Sequence, residues 1–252
     1  MKDLGDIHFF LGVQAVRNSS GLFLSQAKYV SDLLIRFHLH TLKSVRTPLP
    51  TRTKLSLTDG ELLADPTEYR NMRIFRYLQG TKTHGLHLQP SPHPHSVLAY
   101  SDADWAGCPD SSRTTSGYAV FFCPNLISWR SKKQPTVSRS STEPEYRAIA
   151  YTVQDTLHIR SILFELGFPL SRAVWLLCDN VSASYLSANP IQHARSKHID
   201  INYHFVRERV AHGDLLVQYV PTKFQLADIF TKNLAPQRFL FLRDNLRIVP
   251  PA

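Results

Sequence analysis

Two aspartates lie two residues apart at the end of an apolar run, in the segment VLAYSDADWAG that begins at Val97. On a β-strand, residues i and i+2 point to the same side, so a strand would direct Asp102 and Asp104 toward one place. Ordinary buried strands avoid carboxylates because an unpaired buried charge is costly. Two carboxylates held together therefore predict a cation between them, with further ligands elsewhere in the chain.

Three further acids stand where a secondary-structure element is expected to begin or end. Asp179 closes the apolar run VWLLCD, Glu145 begins a long amphipathic pattern, and Asp228 lies in QLADIFTK. The C-terminal edge of strands is where open α/β sheets place their sites. Each acid also has a structural explanation. Asp179 could cap the next helix, and Glu145 could form a capping box with Thr142. Asp228 could pair with Lys232 on an exposed helix face.

The composition indicates a folded, basic chain. Of its 252 residues, 43% are hydrophobic and 19% charged, as in globular domains. The formal net charge of +9 favours a polyanionic partner, nucleic acid before membrane. The sequence shows no apolar run of about 18 residues, no signal-peptide pattern and no CxxC spacing among its three cysteines. We expect a protein of the cytoplasm or nucleus that is neither secreted nor embedded in a membrane.

A proline-rich segment divides the chain. Residues 89–96, QPSPHPHS, contain three prolines, which block both helix and sheet ladder and predict a linker. Before it, we predict a hairpin around RNSSG, a helix in AKYVSDLLIRF, a short helix in MRIFRYLQG and a strand in HGLHL. After it, we predict strands in SVLAYSDADW, SGYAVFFC, LISWRS and TVSRS, and then a helix from about Glu143 to Leu166. A buried strand AVWLLCD, two helices, a strand LLVQYV and a helix QLADIFTKNLA follow, which together predict a mixed α/β sheet.

The part from Val97 onward resembles the ribonuclease H domain of Ty/copia-type retrotransposon polyproteins. Its motifs stand in the family's order: YSDADWAGCPDSSRTTSGYAVFF, ISWRSKKQPTVSRSSTEPEYRAIA, LLCDNVSA, SKHIDINYHFVRE and VPTKFQLADIFTK. The resemblance implies a ribonuclease H-like mixed five-stranded sheet flanked by helices. It also implies four catalytic acids, which are Asp102, Glu145, Asp179 and Asp228. Glu145 is preferred to Glu143 because EYRA takes the place of the family's Glu-x-x-Ala, and Asp104 is a supporting candidate.

The resemblance further implies that these four acids hold two Mg²⁺ ions, for which Mn²⁺ is an alternative, with Asp102 bridging both. Two such ions about 4 Å apart activate a water and stabilise the departing oxygen of a phosphodiester, and hard cations prefer oxygen ligands. The implied substrate is the RNA strand of an RNA–DNA hybrid, cut to leave a 5′-phosphate and a 3′-hydroxyl. Cellular ribonucleases H carry a mobile histidine shortly before the last aspartate. The stretch YVPTKFQLAD has none, which predicts slower or differently assisted turnover.

The run RSKKQPTVSR carries four basic residues and no acid. Such a run is typical of a track for phosphates, and we expect it to contact nucleic acid through Arg130, Lys132, Lys133 and Arg139. The alternative is a solvated edge strand whose lysines prevent aggregation.

Residues 1–88 resemble the end of a copia-type reverse transcriptase, through MKDLGDIHFFLGVQAVRNSSGLFLSQAKYVSDLLIRF. The Tyr-x-Asp-Asp polymerase motif is absent from the sequence, so no polymerase activity is expected. The family has several dozen more residues between DPTEYR and RIFRYLQGT, which implies an internal deletion near residues 72–73. The implied organisation is an incomplete α+β reverse-transcriptase remnant at 1–88, a linker at 89–96, a ribonuclease H domain at 97–245 and a tail at 246–252. The remnant should expose Phe9, Phe10, Leu33 and Leu34, and the reverse-transcriptase portion of an intact polyprotein would be a partner.

Two other functions fit part of the pattern. A catalytically dormant remnant that still binds nucleic acid would keep the same four acids, so only an activity assay separates it from a nuclease. A phosphatase of the haloacid dehalogenase type also starts with a strand followed by Asp-x-Asp, but Trp105 and the basic run fit it poorly. Purely structural roles for all the acids are the remaining alternative.

Overall fold

The computed structural model describes residues 5–50, 56, 66–91, 96–188 and 200–251, without the side chains of residues 66–71 and 200. The strands are β1 (Phe9–Phe10), β2 (Val13–Asn18), β3 (Gly21–Ser25), β4 (Gly85–Leu88), β5 (Val97–Asp104), β6 (Thr115–Phe122), β7 (Asn125–Lys133), β8 (Val174–Cys178), β9 (Leu215–Tyr219) and β10 (Ile248–Val249). The helices are α1 (Ala27–Arg36), α2 (Pro66–Thr81), α3 (Thr142–Glu165), α4 (Val181–Ala188), α5 (Asp200–Ala211), α6 (Asp228–Thr231) and α7 (Pro236–Asn245). In this part of the chain, no helix is long and apolar enough to cross a membrane.

The described residues fall into two compact units. Residues 5–50, 66–90 and 233–251 form the first, and residues 56, 91, 96–188 and 200–232 form the second. The centre of the predicted linker, residues 92–95, lies outside the described residues, as does most of SKHID. The assignment of these ranges to a reverse-transcriptase remnant and a ribonuclease H domain stays a prediction.

The first unit is built on an antiparallel sheet with the strand order β1-β2-β3-β4-β10. The predicted hairpin is present as β2 and β3, and the side-chain oxygen of Asn18 accepts a hydrogen bond from the Ser20 backbone within its turn. The last strand comes from the far end of the chain, because Ile248 pairs with Leu86 of β4. Part of the predicted tail is therefore a strand of the N-terminal sheet, and α7 lies in this unit too.

The exposure of the N-terminal apolar side chains is only partly as predicted. Phe9 and Phe10 are exposed and Leu33 is partly buried, but Leu34 is buried and the prediction for it is wrong. The reason is that α1 packs against α2, with the rings of Phe37 and Phe75 5.2 Å apart. The packing of these two helices thus buries an apolar side chain that the sequence pattern alone predicted to be exposed.

The second unit confirms the predicted mixed sheet of five strands flanked by helices. Its strand order is β7-β6-β5-β8-β9. Strand β6 runs antiparallel to both of its neighbours, β5 and β7, whereas β5, β8 and β9 are parallel. Parallel neighbours end at the same edge of the sheet, and Ser101 of β5 is level with Cys178 of β8. The next residues, Asp102 and Asp179, are thereby brought side by side.

The core of this unit lies between the sheet and α3, which follows the predicted range closely. Buried apolar side chains of both fill the interface, among them Val97, Ala99, Val120, Ile149, Val153 and Leu176. Each such side chain contributes about 1.5–3 kcal/mol when fully buried. This packing fixes the first turn of α3, where Glu145 lies.

Two predicted elements differ from the structure. TVSRS is an irregular loop rather than a strand, because the buried Gln134 side chain donates to Ser116 Oγ and to the Pro144 carbonyl and so turns the chain toward α3. The predicted helix in QLADIFTKNLA is only the single turn α6. Ala235 precedes Pro236, which disfavours helical geometry there, and α7 starts anew at that proline.

Candidate active site

Three of the four predicted acids converge at one edge of the second unit's sheet. Asp102, Glu145 and Asp179 each present a carboxylate oxygen, and these oxygens all lie within 4.8 Å of one another. Asp102 comes from β5, Glu145 from the first turn of α3, and Asp179 from the residue after β8. Asp102 and Glu145 are buried and Asp179 is partly buried. Oxygens at this spacing are the ligand set that a hard divalent cation prefers.

The electrostatics of the cluster also fit a cation. Burial raises the pKa of Asp102 to about 6, against the opposing effect of the Lys232 ammonium. Burial, followed by the charges of Asp102 and Asp179, raises the pKa of Glu145 to about 9. In the described part of the chain, Oε2 of Glu145 is buried without a hydrogen-bond partner. A bound cation would supply both the missing partner and the missing charge.

Asp228, the fourth acid, connects to the cluster through a lysine. Lys232 Nζ lies 2.6 Å from Asp228 Oδ1 and 3.0 Å from Asp102 Oδ1. Burial lowers the pKa of Lys232, but its two carboxylate partners outweigh this and raise the pKa above its ordinary value. The i,i+4 pair considered from the sequence is therefore present, although Asp228 is buried and not on an exposed face.

The structural explanations of the other two acids are not realised. The cap of α4 is Asn180, whose side chain accepts from the Ala183 backbone at 2.9 Å. Asp179 instead accepts a hydrogen bond from the hydroxyl of Thr222 at 2.9 Å. Helix α3 begins after Ser141, which makes no side-chain capping bond. These acids are thus available to the cluster.

The choice of Glu145 over Glu143 is consistent with the geometry. Glu143 forms an ion pair with Arg147 at 2.6 Å and accepts from the Arg139 backbone at 3.0 Å. Its carboxylate therefore holds the loop that precedes α3, and it is absent from the group of converging acids. Glu143 and Glu145 lie in the same helical turn and have different roles.

Asp104 also has a structural role. Its Oδ1 accepts hydrogen bonds from the backbone of Gly107 at 3.1 Å and of Thr115 at 3.4 Å. A Cβ at Gly107 would come within 1.9 Å of the Asp104 carboxylate, so glycine permits this turn. Asp104 thus stabilises the loop after β5, which disfavours the Asp-x-Asp phosphatase.

Helix α6 is held against the sheet by a close approach at Gly117. Gly117 of β6 pairs with Asp102, and a Cβ there would lie 2.7 Å from Phe230 Cβ and 2.8 Å from Thr231 Cγ2. Gln225 fixes the preceding loop by donating to the Ser101 carbonyl at 2.9 Å. Because α6 lies this close, the Thr231 hydroxyl donates to Asp102.

The sequence predictions missed Thr231, Lys232 as a bridge, and the two buried glutamines. A signal existed for Lys232, since it stands four residues after a predicted catalytic acid. The glutamines carry no such signal, because their importance arises from burial that only the folded chain produces.

Of the predicted nucleic-acid-binding residues, Arg130, Lys132 and Lys133 line a common cavity on the edge of the sheet together with Arg113. Arg139 is exposed in the loop before α3 and is not among the residues lining that cavity. Whether any of these side chains contacts nucleic acid stays a prediction.

Comparisons with known proteins give both relatives and a structural neighbour. No family model matches the chain. The retrovirus-related Pol polyprotein from transposon RE1 of Arabidopsis thaliana is 42% identical over 291 residues, which covers 100% of this chain and 20% of the relative. The corresponding polyprotein from transposon TNT 1-94 of Nicotiana tabacum is 33% identical over 290 residues, covering 97% of this chain and 22% of the relative. The solved N-terminal RNase H domain of rv2228c from Mycobacterium tuberculosis aligns with a TM-score of 0.42 and 10% identity, over 60% of this chain and 97% of that one.

The match to the transposon proteins extends over both compact units, although the chain spans only about a fifth of the length of these relatives. It agrees with the resemblance found in the sequence motifs. This chain belongs to the family of retrovirus-related Pol polyproteins from plant transposons.

Proposed function

We propose that this chain is a ribonuclease H that hydrolyses the RNA strand of an RNA–DNA hybrid. The observation that carries the proposal is the convergence of Asp102, Glu145 and Asp179 within 4.8 Å, with a Glu145 oxygen buried and unpartnered among the described residues. The similarity to Pol polyproteins also supports it, because the sequence motifs resemble the ribonuclease H domain of polyproteins of this kind.

In the proposed site, Asp102, Glu145, Asp179 and Asp228 would hold two Mg²⁺ ions. Such ions supply an activated water and charge stabilisation at the departing oxygen. The chain's own contribution is to position these carboxylates: β5 and β8 bring Asp102 and Asp179 together, and α3 adds Glu145. The Thr231 hydroxyl orients the Asp102 carboxylate.

Lys232 has a distinct part in the proposed mechanism. Its ammonium faces both Asp102 and Asp228 and offsets part of the negative charge of the cluster before metal is bound. Its side chain is 36% exposed, so it can swing away when divalent cations bind. The stretch YVPTKFQLAD ahead of Asp228 has no histidine, and Lys232 is the cation that contacts both Asp102 and Asp228.

The first unit is proposed to be a reverse-transcriptase remnant without polymerase activity. The alignment with the RE1 polyprotein is longer than this chain, 291 positions against 252 residues, so the relative carries residues that have no counterpart here. This supports an internal deletion. In an intact element, the remaining reverse transcriptase would be the partner of this region, and the protein would act inside the cell.

A substrate panel tests the proposal. Purified chain is incubated with an RNA–DNA hybrid, single-stranded RNA or duplex DNA, each with Mg²⁺ or with a chelator. The proposal expects cleavage of the hybrid's RNA strand alone, dependent on Mg²⁺, with 5′-phosphate ends. Binding of the hybrid without cleavage would favour the dormant remnant. If the chain neither binds nor cleaves any of the three substrates, both the nuclease and the dormant remnant are contradicted.

A further inference from the structure

We propose that the groove between edge strand β7 and helix α3 is a second phosphate subsite. It would take a backbone phosphate of the bound nucleic acid other than the one that is hydrolysed. This inference rests on the proposed function, since it assumes that the chain binds a nucleic-acid duplex.

The groove is a cavity of about 220 Å³ with a strongly basic lining. Its charged side chains are Arg113, Arg130, Lys132 and Lys133, and Tyr118 and Tyr151 add hydroxyl groups. The described residues contribute no acidic side chain to this lining. Since each water in the liquid occupies about 30 Å³, the cavity has room for a phosphate group and some of its hydration. Four positive side chains around one cavity repel one another, and an anion bound among them would offset this repulsion.

One guanidinium group of the groove is held in place by the backbone. Arg113 Nε donates to the Gln134 carbonyl at 2.6 Å. Arg130 is exposed. Burial raises the pKa of the Tyr118 hydroxyl, and the Arg130 guanidinium lowers it by a smaller amount. Fixed guanidinium groups suit phosphate because their forked donors match its oxygens. The hydrogen bond of Arg113 distinguishes the groove from a solvated edge strand that carries only lysines.

The cations of the groove are not equivalent. Lys133 Nζ lies 3.0 Å from the sulfur of Cys108, and this hydrogen bond lowers the pKa of the Cys108 thiol to about 6. Lys133 is therefore already engaged by the Cys108 sulfur. Arg130 and Lys132 are the pair expected to carry most of the phosphate binding.

The register of the sheet gives the spacing between the acids and the strand that carries the groove. Asp102 pairs with Gly117, and Gly117 pairs with Ser131. Two strand spacings separate Asp102 from Ser131, about 10 Å. The Ser131 hydroxyl donates to the Phe230 carbonyl, on the α6 side of the sheet. Arg130 and Lys132 flank Ser131 and point to the opposite face, so we expect them to meet a different phosphate where the duplex passes over the edge strand β7.

Salt-dependent binding tests this subsite. The full-length chain carrying Asp102→Asn, which prevents cleavage, is titrated with hybrid at several salt concentrations. Each phosphate contact adds about 0.9 to the slope of log affinity against log salt. Because both side chains would serve one phosphate, adding Arg130→Gln with Lys132→Gln should flatten the slope by about 0.9. The matched control is Arg172→Gln, an exposed residue before β8, at the opposite end of the sheet from Asp102, and it should leave the slope unchanged.

The outcomes separate this inference from the proposed function. A charge-conserving pair, Arg130→Lys with Lys132→Arg, should keep the original slope, which shows that charge and not folding is responsible. If the glutamine pair binds with an unchanged slope while the wild type cleaves hybrid, the subsite is refuted and the nuclease stands. If the wild type neither binds nor cleaves hybrid, both proposals are refuted.

Discussion

Lys232 Nζ lies 3.0 Å from Oδ1 of Asp102, although the two residues are 130 positions apart in the chain. The same nitrogen lies 2.6 Å from Asp228 Oδ1, so one ammonium bridges the first and last of the four acids. This arrangement gives the cluster an internal cation. It also means that the stability of the metal-free protein and the binding of metal should be linked.

Replacing Lys232 should expose this link. Lys232→Gln leaves Asp102 and Asp228 close together without their counter-charge, and the loss should be about 1–3 kcal/mol of unfolding free energy. The figure is below that of a fully buried pair because Lys232 is partly exposed. Urea unfolding with a chelator measures the loss, and Mg²⁺ should recover part of it. The exposed Lys82 supplies a control, Lys82→Gln, and equal stability of both variants would contradict the bridge.

A methyl group at Gly117 should disturb the site without altering any acid. The added Cβ of Gly117→Ala would come 2.7 Å from Phe230, so α6 must move away from β6. Hybrid cleavage should fall by at least about tenfold, because a misplacement of about 1 Å near the chemistry can cost 100-fold. Gly213→Ala, at a positive-φ turn with open space around it, should lose stability but keep its cleavage rate. Full activity of Gly117→Ala would show that the approach of α6 is not needed.

Glu143 and Glu145 should respond in opposite ways to the same substitution. Glu145→Gln should reduce cleavage by more than about 100-fold, since even outer-shell changes cost 10- to 100-fold at metal sites. It should also stabilise the metal-free protein at neutral pH. Folding raises the pKa of Glu145 to about 9, and a carboxyl whose pKa rises on folding lowers the stability at every pH above its ordinary pKa. Glu143→Gln should destabilise the chain by weakening the Arg147 pair yet keep the cleavage rate. Both effects are measured by the cleavage rates of the two variants and by their melting curves in the presence of a chelator. If Glu143→Gln loses cleavage and Glu145→Gln keeps it, Glu143 and not Glu145 would be the metal ligand.

The boundary between the units can be tested through α7. Leu242 is fully buried, and Leu242→Ala should cost about 2–5 kcal/mol by leaving a cavity. Because α7 lies in the first unit, faster hydrogen exchange is expected in β3 and β4, with β5 and β6 still protected. Loss of protection in β5 and β6 instead would support a ribonuclease H domain that extends to residue 245.

Much of the second unit could be predicted from the sequence, because its strands and α3 show strong local patterns. The four acids could be named from their place in the family's motifs, and three of them lie together in the structure. Predictions failed where tertiary contacts decide local structure. TVSRS has the composition of a strand, but the buried Gln134 turns it into a loop. The strand β10 is too short to have a pattern, and its pairing with β4 depends on residues about 160 positions away.

The measurement that tests the central claim most directly compares two aspartates of one strand in a single assay. Mg²⁺-dependent cleavage of the RNA strand of a hybrid is followed for the wild type, Asp102→Asn and Asp104→Asn. In Asp104→Asn, the side-chain amide oxygen can still accept the hydrogen bonds from Gly107 and Thr115 that the carboxylate accepts, so this variant should cleave at close to the wild-type rate. Asp102→Asn should lose cleavage altogether while its circular dichroism and melting remain those of a folded protein. Equal cleavage by the wild type and folded Asp102→Asn would contradict the account.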